Sequence, residues 1–281
     1  MQTIHDLESL RQCIKSIRAA GQSVALVPTM GALHDGHMTL VEEAKRVADR
    51  VIVSIFVNPT QFGPNEDYDA YPRHTEVDIA KLKAVGVDML WLPDVGIMYP
   101  DGFATRVFVT GLGDGLCGAA RPGHFDGVAT IVSKLFNQIA PDIAVFGEKD
   151  WQQLAIIRRV AADLNMPVTI HGVAIVREDD GLALSSRNAY LSPKERQSAV
   201  ALPRSLRAAA QAITDGAPVT ATLERVTDEL TKAGFDRVDY VALVDASSLE
   251  PLTILDREAR LLAASKIGKT RLIDNIPVHK I

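Results

Sequence analysis

The chain has 281 residues, of which 47% are hydrophobic and 23% are charged, and its formal net charge at pH 7 is -5. This composition is typical of a globular protein with one large or two ordinary domains, and the negative charge favours small-molecule chemistry over binding of nucleic acid or anionic lipid. The two cysteines, Cys13 and Cys117, are too few and too far apart for a disulfide framework or a cysteine-rich metal site.

The apolar runs have the length of strands and fall far short of the ~20 residues that span a bilayer. The first residues, MQTIHDLESL, lack the basic start and apolar core of a signal peptide. We therefore expect a cytoplasmic protein without a membrane segment.

The first part of the chain alternates short apolar runs with segments of helical periodicity. The strands are predicted at residues 24–27, 51–57, 89–92, 143–146 and 168–176, and the helices at 40–48, 77–85, 128–139 and 152–164. A polar loop is expected at residues 58–73. This alternation predicts an α/β fold in which helices cover a parallel sheet.

The pattern changes after about residue 176. Ser192, followed by Pro193 and Glu195, predicts a helix that starts with a capping box, and a bend is expected near Pro203. Short strands at residues 238–244, 259–263 and 270–273 then predict a smaller α+β domain. We place the boundary in the loop 177–192, which gives domains at 1–176 and 177–281.

Four polar loops follow the predicted strands. They are residues 28–37 (PTMGALHDGH), 58–63 (NPTQFG), 147–153 (GEKDWQQ) and, one loop further, 184–188 (LSSRN). In an open parallel sheet, ligands bind beyond the carboxyl ends of the strands, where loops and helix amino termini meet. We therefore expect these four loops to form one ligand site.

His34 and His37 lie at the predicted start of a helix, where free backbone N–H groups and the helix dipole favour an anion. This position suits imidazoles that donate hydrogen bonds to phosphate oxygens. Two other interpretations remain open: a helix-capping loop with two surface histidines, and a zinc pair, which ranks last because no further Cys or His ligand is near.

The remaining polar residues also allow two interpretations. Lys149 and Asp150 offer a cation for phosphates and an acceptor for ribose hydroxyls, or an exposed ion pair. Residues 185–187 offer two hydroxyls and a guanidinium, or merely a polar loop. Gln61 and Gln153 are neutral amides that could orient a carboxylate or hydroxyl, or could simply be solvated.

Two motif matches are rejected. Gly113, Gly115 and Gly118 fit GxGxxG, but Pro122 follows where a dinucleotide fold needs an uninterrupted helix. Gly268 and Lys269 fit a relaxed phosphate-loop pattern, but so little chain follows that a hairpin turn is the better explanation.

Taken together, the motifs resemble a known family. PTMGALHDGH resembles the HxGH-type motif of the adenylyltransferase superfamily, and LSSRN resembles its KMSKS-type loop. The runs FVNPTQF, AYPR, RPGHFDGV, FGEKDWQQ and GLALSSRNAYLS are together similar to the pantothenate synthetase family and occur in the expected order. The resemblance implies a Rossmann-like parallel sheet with helices on both faces, a smaller C-terminal α+β lid domain and a homodimer.

The resemblance also implies a reaction in two steps. (R)-Pantoate and MgATP would give pantoyl-adenylate and pyrophosphate, and β-alanine would then attack the mixed anhydride to give pantothenate and AMP. Two alternatives stay open: a nucleotidyltransferase of the same superfamily that releases an adenylated product, and a non-catalytic nucleotide sensor. The sequence does not indicate which residues would hold Mg²⁺.

Carried over by motif, His34, His37 and Lys149 would be catalytic, with His37 also a proton donor. Gln61 and Gln153 would bind pantoate, and Gln61 would also bind β-alanine. The ATP-binding residues implied by the resemblance are Met30, Gly31, Ala32, Leu33, His34, Asp35, Gly36, His37, Gly147, Glu148, Lys149, Asp150, Val176, Leu184, Ser185, Ser186 and Arg187.

Overall fold

The structure is a computed structural model that describes residues 1–64 and 66–280. Asn65, within the predicted polar loop 58–73, and Ile281, at the end of the predicted second domain, lie outside the described residues.

The first part of the chain contains a parallel sheet, as predicted, with six strands where the sequence indicated five. Its spatial order is β1-β4-β3-β2-β5-β6, so the strand order reverses where β2 lies beside β5. In sheets of this kind, the point of reversal leaves a crevice beyond the strand ends. The strands are β1 (Gln2–Ile4), β2 (Val24–Thr29), β3 (Arg50–Ile55), β4 (Met89–Trp91), β5 (Ile143–Gly147) and β6 (Thr169–Val173).

Helices cover both faces of this sheet, which confirms the prediction. They are α1 (Leu7–Ala19), α2 (Asp35–Val47), α3 (Thr75–Ala84), α4 (Val95–Met98), α5 (Cys117–Ala120), α6 (His124–Ile139) and α7 (Trp151–Asp163). Successive residues of a strand point to opposite faces. Accordingly, Leu26 packs in the apolar cluster that contains α1, α6 and α7, while Val27 packs in the cluster that contains α2 and α3.

The second part contains a three-stranded antiparallel sheet, β7 (Arg237–Asp245), β8 (Ala259–Ile267) and β9 (Thr270–Val278), in that spatial order. It packs with α8 (Pro193–Ala199), α9 (Ala201–Thr214) and α10 (Val219–Lys232) around an apolar cluster of its own. The capping box of Ser192 and Glu195 is present, and Gly268 and Lys269 form the turn between β8 and β9, as expected. No described helix is long and apolar enough to cross a membrane.

Several boundaries differ from the prediction. The helix break lies at Val200, between α8 and α9, three residues before Pro203. Pro203 occupies the first turn of α9, where a missing N–H costs no intrahelical hydrogen bond, so it needs no bend. The strand predicted at 168–176 ends at Val173, whereas β8 and β9 are longer than predicted.

Five of these strands and helices were not predicted: β1, α1, α4, α5 and α10. Helix α1 begins after Asp6, whose carboxylate accepts a hydrogen bond from the N–H of Ser9 at 2.8 Å, and it buries Leu10 and Ile14 against the sheet. A capping aspartate and a buried apolar face are both ordinary signals of a helix.

Candidate active site

A cavity of about 250 Å³ opens beyond the carboxyl ends of β2, β3 and β5, at the reversal of strand order. All four polar loops contribute to its wall. The predicted site residues that line it are Met30, His34, Gly36, His37, Gln61, Gly147, Lys149, Asp150, Gln153, Val176, Leu184, Ser185, Ser186 and Arg187.

A larger cavity of about 650 Å³ adjoins the first and extends toward the second sheet. The residues common to both walls are Arg121, His124, Lys149, Asp150, Gln153, Ser185 and Arg187. Lys149 and Asp150 therefore lie between the space beyond the parallel sheet and the space beneath β9.

Five predicted ATP-binding residues lie outside these walls: Gly31, Ala32, Leu33, Asp35 and Glu148. The backbone N–H groups of Ala32 and Leu33 each donate to the Asp78 carboxylate at 2.8 Å, so they are not available to a phosphate. The carboxylate of Glu148 pairs with Arg260 at 2.6 Å. Ala32, Leu33 and Glu148 therefore stabilise the loops without lining the cavity.

Asp78, on α3, determines the shape of the loop before α2. Gly31 and Ala32 have positive φ angles of 81° and 51°, a conformation that L-residues rarely adopt. A Cβ atom on Gly31 would lie 3.1 Å from Asp78 Oδ2 and 3.2 Å from Ile55 Cγ2, so this close approach also favours glycine. The Asp78 carboxylate stabilises this strained turn by accepting hydrogen bonds from its backbone N–H groups.

His34 and His37 lie at the start of α2 with their ring centroids 4.1 Å apart. The N–H of His34 donates to His37 Nδ1 at 3.2 Å, so a neutral His37 carries its proton on Nε2. A Cβ atom on Gly36 would lie 2.9 Å from His34 Cε1, which explains the glycine between them. Gly36 lines the cavity at a helix amino terminus, where N–H groups lack intrahelical partners.

Both histidines are neutral near pH 7. Burial lowers the pKa of His34 to about 4, with the positive charges of Lys149 and Lys81 acting in the same direction. Burial lowers the pKa of His37 to about 3, again reinforced by His34 and Lys149. Because a neutral imidazole is a very weak acid, this environment favours hydrogen-bond donation by His37 over the proton donation that the resemblance implies.

Lys149 lies in a single 3₁₀ turn, Glu148–Asp150, between β5 and α7. Its Nζ atom is 3.7 Å from the Asp150 carboxylate, and its side chain is 22% exposed against 47% for Asp150. The ion pair that the sequence allowed is therefore present, but it is loose and borders the cavity. A partly exposed carboxylate at this distance does not prevent the ammonium group from binding phosphate.

The Gln61 amide has a defined orientation. Asn58 Oδ1 accepts from the N–H of Thr60 at 3.3 Å, so Asn58 Nδ2 is the group that donates to the carbonyl of Gly127 at 3.1 Å and to Gln61 Oε1 at 3.0 Å. Among the described residues, the hydrogen-bond partner of Gln61 Nε2 is Met30 Sδ, at 3.1 Å, a weak acceptor. Both Gln61 and Met30 line the cavity, so the amide offers N–H donors to a ligand there.

Part of the cavity wall is apolar. It is formed mainly by side chains of α6 and by the ends of strands β3 and β5. Its members are Phe56, Phe62, Val128, Ile131, Val132, Leu135 and Phe146. The cavity therefore suits a ligand with an aliphatic or aromatic part beside its polar groups.

Two bidentate ion pairs connect the loop after β3 to the rest of the site. Arg187 donates to Asp67 through Nε and Nη2, at 3.0 and 2.9 Å. Arg121 donates to Glu66 at 2.7 and 2.6 Å and, despite the burial of that carboxyl, holds its pKa at about 2. Arg187 has further N–H groups for a ligand, whereas Arg121 also contacts His124 Nε2 at 2.8 Å and the Gln61 carbonyl at 3.4 Å, which leaves it one N–H group.

Other wall residues lie within the family-like motifs, although the sequence assigned them no role. Burial lowers the pKa of His124 to about 4, and its Nδ1 lies 2.8 Å from the Gln61 carbonyl oxygen. The Tyr71 hydroxyl lies 3.4 Å from Ser186 Oγ. Asn58, Arg121, His124 and Tyr71 all fall in the runs FVNPTQF, RPGHFDGV and AYPR, so those runs carried the signal.

The described residues contain no group of three or more His, Cys, Asp or Glu side chains that could hold a metal ion. Among them, Asp150 is the one carboxylate in the wall of the smaller cavity. This arrangement does not support the zinc pair at His34 and His37, which would need a third protein ligand.

The comparisons with known proteins agree with the motif resemblance. A family model described as pantoate–β-alanine ligase matches residues 2–277. The pantothenate synthetase of Sphingopyxis alaskensis is 62% identical over 278 residues, which cover 99% of this chain and 100% of that protein. The pantothenate synthetase of Rhizorhabdus wittichii is 59% identical and covers 99% of both chains.

Solved structures give the same result. The pantothenate synthetase of Thermus thermophilus superposes with a TM-score of 0.94 at 47% identity, covering 99% of this chain and 100% of that chain. The pantoate–β-alanine ligase of Francisella tularensis, described as complexed with β-γ ATP and β-alanine, superposes with a TM-score of 0.84 at 35% identity and covers 98% and 97% of the two chains.

Proposed function

The chain belongs to the pantoate–β-alanine ligase family, and from this premise we propose that it condenses pantoate with β-alanine, using ATP, to give pantothenate, AMP and pyrophosphate. The observation that carries the proposal is the convergence of all four family-like loops on one cavity at the reversal of strand order. The Francisella ligase, described with an ATP compound and β-alanine, supports the same two ligands here.

The first step forms the acyl-adenylate. A pantoate carboxylate oxygen attacks the α-phosphorus of ATP, and the bond to the leaving pyrophosphate breaks. Negative charge shifts toward that leaving group, where Lys149 supplies a cation and the neutral His34 and His37 imidazoles supply hydrogen bonds. Preorganised donors of this kind stabilise a transition state without reorganisation.

The acid substrate has chemistry that matches the wall around Gln61. Pantoate combines a carboxylate and hydroxyls with a branched aliphatic skeleton. The free N–H groups of Gln61, together with Gln153 on α7, can bind the oxygens, while the apolar side chains of α6 contact the methyl groups. Neutral amides bind the carboxylate without quenching its nucleophilicity through a strong ion pair.

The second step consumes the mixed anhydride. The β-alanine nitrogen attacks the acyl carbon, the bond to the AMP oxygen breaks, and the nitrogen loses a proton. Gln61 would also contact β-alanine. The protein contributes position and exclusion of water, since AMP is already a good leaving group and no covalent enzyme intermediate is needed.

Mg²⁺ fits this site as a partner of ATP. Magnesium usually keeps waters and binds one or two carboxylates together with substrate phosphates, a pattern that a lone Asp150 carboxylate beside the nucleotide loops satisfies. When bound, the ion neutralises phosphate charge.

Three features stay predictions: the homodimer, the C-terminal lid with its boundary in the loop 177–192, and the cytoplasmic location.

The test measures the two steps separately. Pantoate alone should support exchange of labelled pyrophosphate into ATP, and AMP should accumulate only when β-alanine is added as well. A strict requirement for β-alanine in the exchange would contradict the adenylate mechanism. Pyrophosphate release without amine-dependent AMP formation would indicate a nucleotidyltransferase, and ATP binding without exchange would indicate a nucleotide sensor.

A further inference from the structure

The turn that carries Lys149 is held by a residue of the second sheet. Asn275, on β9, is 1% exposed. Its Nδ2 group donates to the carbonyl oxygen of Glu148 at 2.9 Å and to that of Lys149 at 3.0 Å. One buried amide therefore binds two successive carbonyls of the three-residue turn Glu148–Asp150.

Arg260, on β8, determines which way the Asn275 amide faces. Its Nη1 group donates to Asn275 Oδ1 at 2.8 Å, which directs Nδ2 toward the turn. Its Nη2 group donates to the Glu148 carboxylate at 2.6 Å, and its Cζ atom lies 3.6 Å from the ring centroid of Trp151. The Trp151 indole N–H in turn donates to the carbonyl of Ala246 at 3.0 Å.

These contacts act on the backbone of the turn and leave the Lys149 ammonium group unbound by the second sheet. The turn is short and lies between the end of β5 and the start of α7, so a shift of its carbonyls moves the Lys149 Cα atom and, with it, the ammonium group. A displacement of about 1 Å at a charge-stabilising group can reduce a rate by about a hundredfold.

We propose that Asn275, oriented by Arg260, is a positioning residue for Lys149, so that adenylation requires the second sheet to be packed against the turn Glu148–Asp150. This inference rests on the adenylation role proposed above for Lys149. Asn275 and Arg260 contact the turn and not the reacting atoms, so they act only through the position of the lysine.

The substitution Asn275→Asp tests this with little change of shape. The new side chain still accepts from Arg260, but it loses both N–H donors and places an oxygen against the two carbonyls. We expect the adenylation rate to fall by about tenfold or more, with the KM values for ATP and pantoate changed less than about threefold, because an interaction made only in the transition state appears in kcat. Supplied pantoyl-adenylate should react with β-alanine at a near-normal rate.

A double-substitution cycle with Lys149→Ala distinguishes positioning from general destabilisation. If Asn275 acts through Lys149, Asn275→Asp should cost little further adenylation rate once the lysine is absent. Losses that multiply would overturn the inference. If Lys149→Ala alone left adenylation intact, the proposed role of Lys149 would fail instead, so the two failures are distinguishable.

Val278→Ala is the control for damage to β9. Val278 lies on the same strand, is 1% exposed, packs in the apolar cluster of the second part and lines neither cavity. This variant should lower the melting temperature without changing the ratio of the two half-reaction rates. A selective loss of adenylation in Val278→Ala, or equal losses of both steps in Asn275→Asp, would contradict the inference.

Arg260→Lys provides a second variant if Asn275→Asp fails to fold. A lysine keeps a positive charge for Glu148 but cannot donate to Asn275 Oδ1 and Glu148 in the same fork geometry. We expect a smaller loss in the same direction, confined to adenylation. An unchanged ratio of the two steps in a folded Arg260→Lys enzyme would count against the orienting role of the arginine.

Discussion

Gln61→Glu is the substitution that most directly tests how the acid substrate binds. The new carboxylate keeps one oxygen where Gln61 Oε1 accepts from Asn58 Nδ2 at 3.0 Å. It replaces the N–H donors beside Met30 Sδ with a negatively charged oxygen in the cavity wall. A pantoate carboxylate bound to those donors would then meet a like charge.

The expected loss has two parts. A hydrogen bond to a charged group contributes about 1.5–3 kcal/mol. Two charges about 4 Å apart repel by about 4 kcal/mol at an effective dielectric constant of about 20. Because the introduced carboxyl can protonate instead, at a cost of about 4 kcal/mol near neutral pH, the repulsion cannot exceed that figure. We therefore expect kcat/KM for pantoate to fall by about a hundredfold or more, with ATP affinity changed little.

The assay is pantoate-dependent pyrophosphate exchange at several pantoate concentrations and pH values. Gln61→Ala removes the donors without adding charge, so Gln61→Glu must be the worse of the two. The loss of kcat/KM for pantoate in Gln61→Glu should also become smaller as the pH falls from about 8 to about 6. Protonation of the introduced carboxyl restores an O–H donor and removes the repulsion. A Gln61→Glu enzyme no worse than Gln61→Ala would refute the assignment of this amide to the pantoate carboxylate.

Gln138→Glu is a matched control for the same chemical change outside the site. Gln138, on α6, also has its Oε1 engaged, by Trp91 Nε1 at 3.1 Å, and its Nε2 near a methionine sulfur, Met98 Sδ, at 3.4 Å. It does not line either described cavity of the site. Its substitution should alter stability without a selective change in kcat/KM for pantoate.

Three further predictions concern other residues of the site. Lys149→Ala should reduce the adenylation rate by on the order of a hundredfold or more, with a much smaller effect on ATP affinity and on the reaction of supplied pantoyl-adenylate, as measured by rapid quench. Gln153→Ala should weaken pantoate use by about 1–3 kcal/mol while ATP binding stays intact, and an unchanged KM and kcat would remove Gln153 from the site. His37 and His124, with pKa values lowered to about 3 and about 4, bind fewer protons when folded than when unfolded, so the free energy of unfolding should decrease as the pH falls below about 6.5, by about 2 kcal/mol per histidine near pH 5. Urea unfolding should show a smaller pH dependence in His124→Gln, and an unchanged one would mean that folding does not lower the pKa of His124.

The parallel sheet was predictable because its central strands are buried on both faces. Strands β2, β3 and β5 therefore appear as continuous apolar runs, and each is followed by a polar loop whose position beyond the strand end follows from parallel geometry. The sequence could thus bring His37, Gln61 and Lys149 to one edge without any knowledge of side-chain contacts. The structure places all three in one cavity wall.

Some of the missed elements are too short to leave a clear pattern in the sequence. Strand β1 has three residues and pairs only with β4 at the edge of the sheet, so it needs no apolar run. Helix α10, by contrast, has an ordinary amphipathic pattern, with Val219, Leu223, Val226 and Leu230 packed in the apolar cluster of the second part. Such a pattern is recognisable from the sequence, so nothing physical hid this helix.

The residues that orient the site were hidden for a different reason: their partners lie far away in the sequence. Asp78 accepts the amides of Ala32 and Leu33 across 45 or 46 positions, and Asn275 donates to the carbonyl of Lys149 across 126. No local pattern records such a contact.

The Asp78 contact changes the electrostatics of the first loop. The sequence suggested that the whole run from Met30 to His37 would line the nucleotide, but two of its amides already bind a carboxylate. The imidazoles at the end of this run are neutral near pH 7, so they provide hydrogen bonds and no net positive charge. The loop therefore contributes hydrogen-bond donors of fixed direction. The positive charge that compensates the phosphates must come from other loops.

Three cationic side chains line the cavity: Arg121, Lys149 and Arg187. Arg121 forms a bidentate ion pair with Glu66, and Arg187 forms one with Asp67. Lys149 has only a loose contact of 3.7 Å with a carboxylate that is itself 47% exposed. Of these three cations, it is the one whose charge is least compensated and whose single ammonium group has no geometric preference of its own. Its effect on a developing charge therefore depends on where the backbone places it, which gives the contacts of Asn275 with the turn a direct consequence for the rate of adenylation.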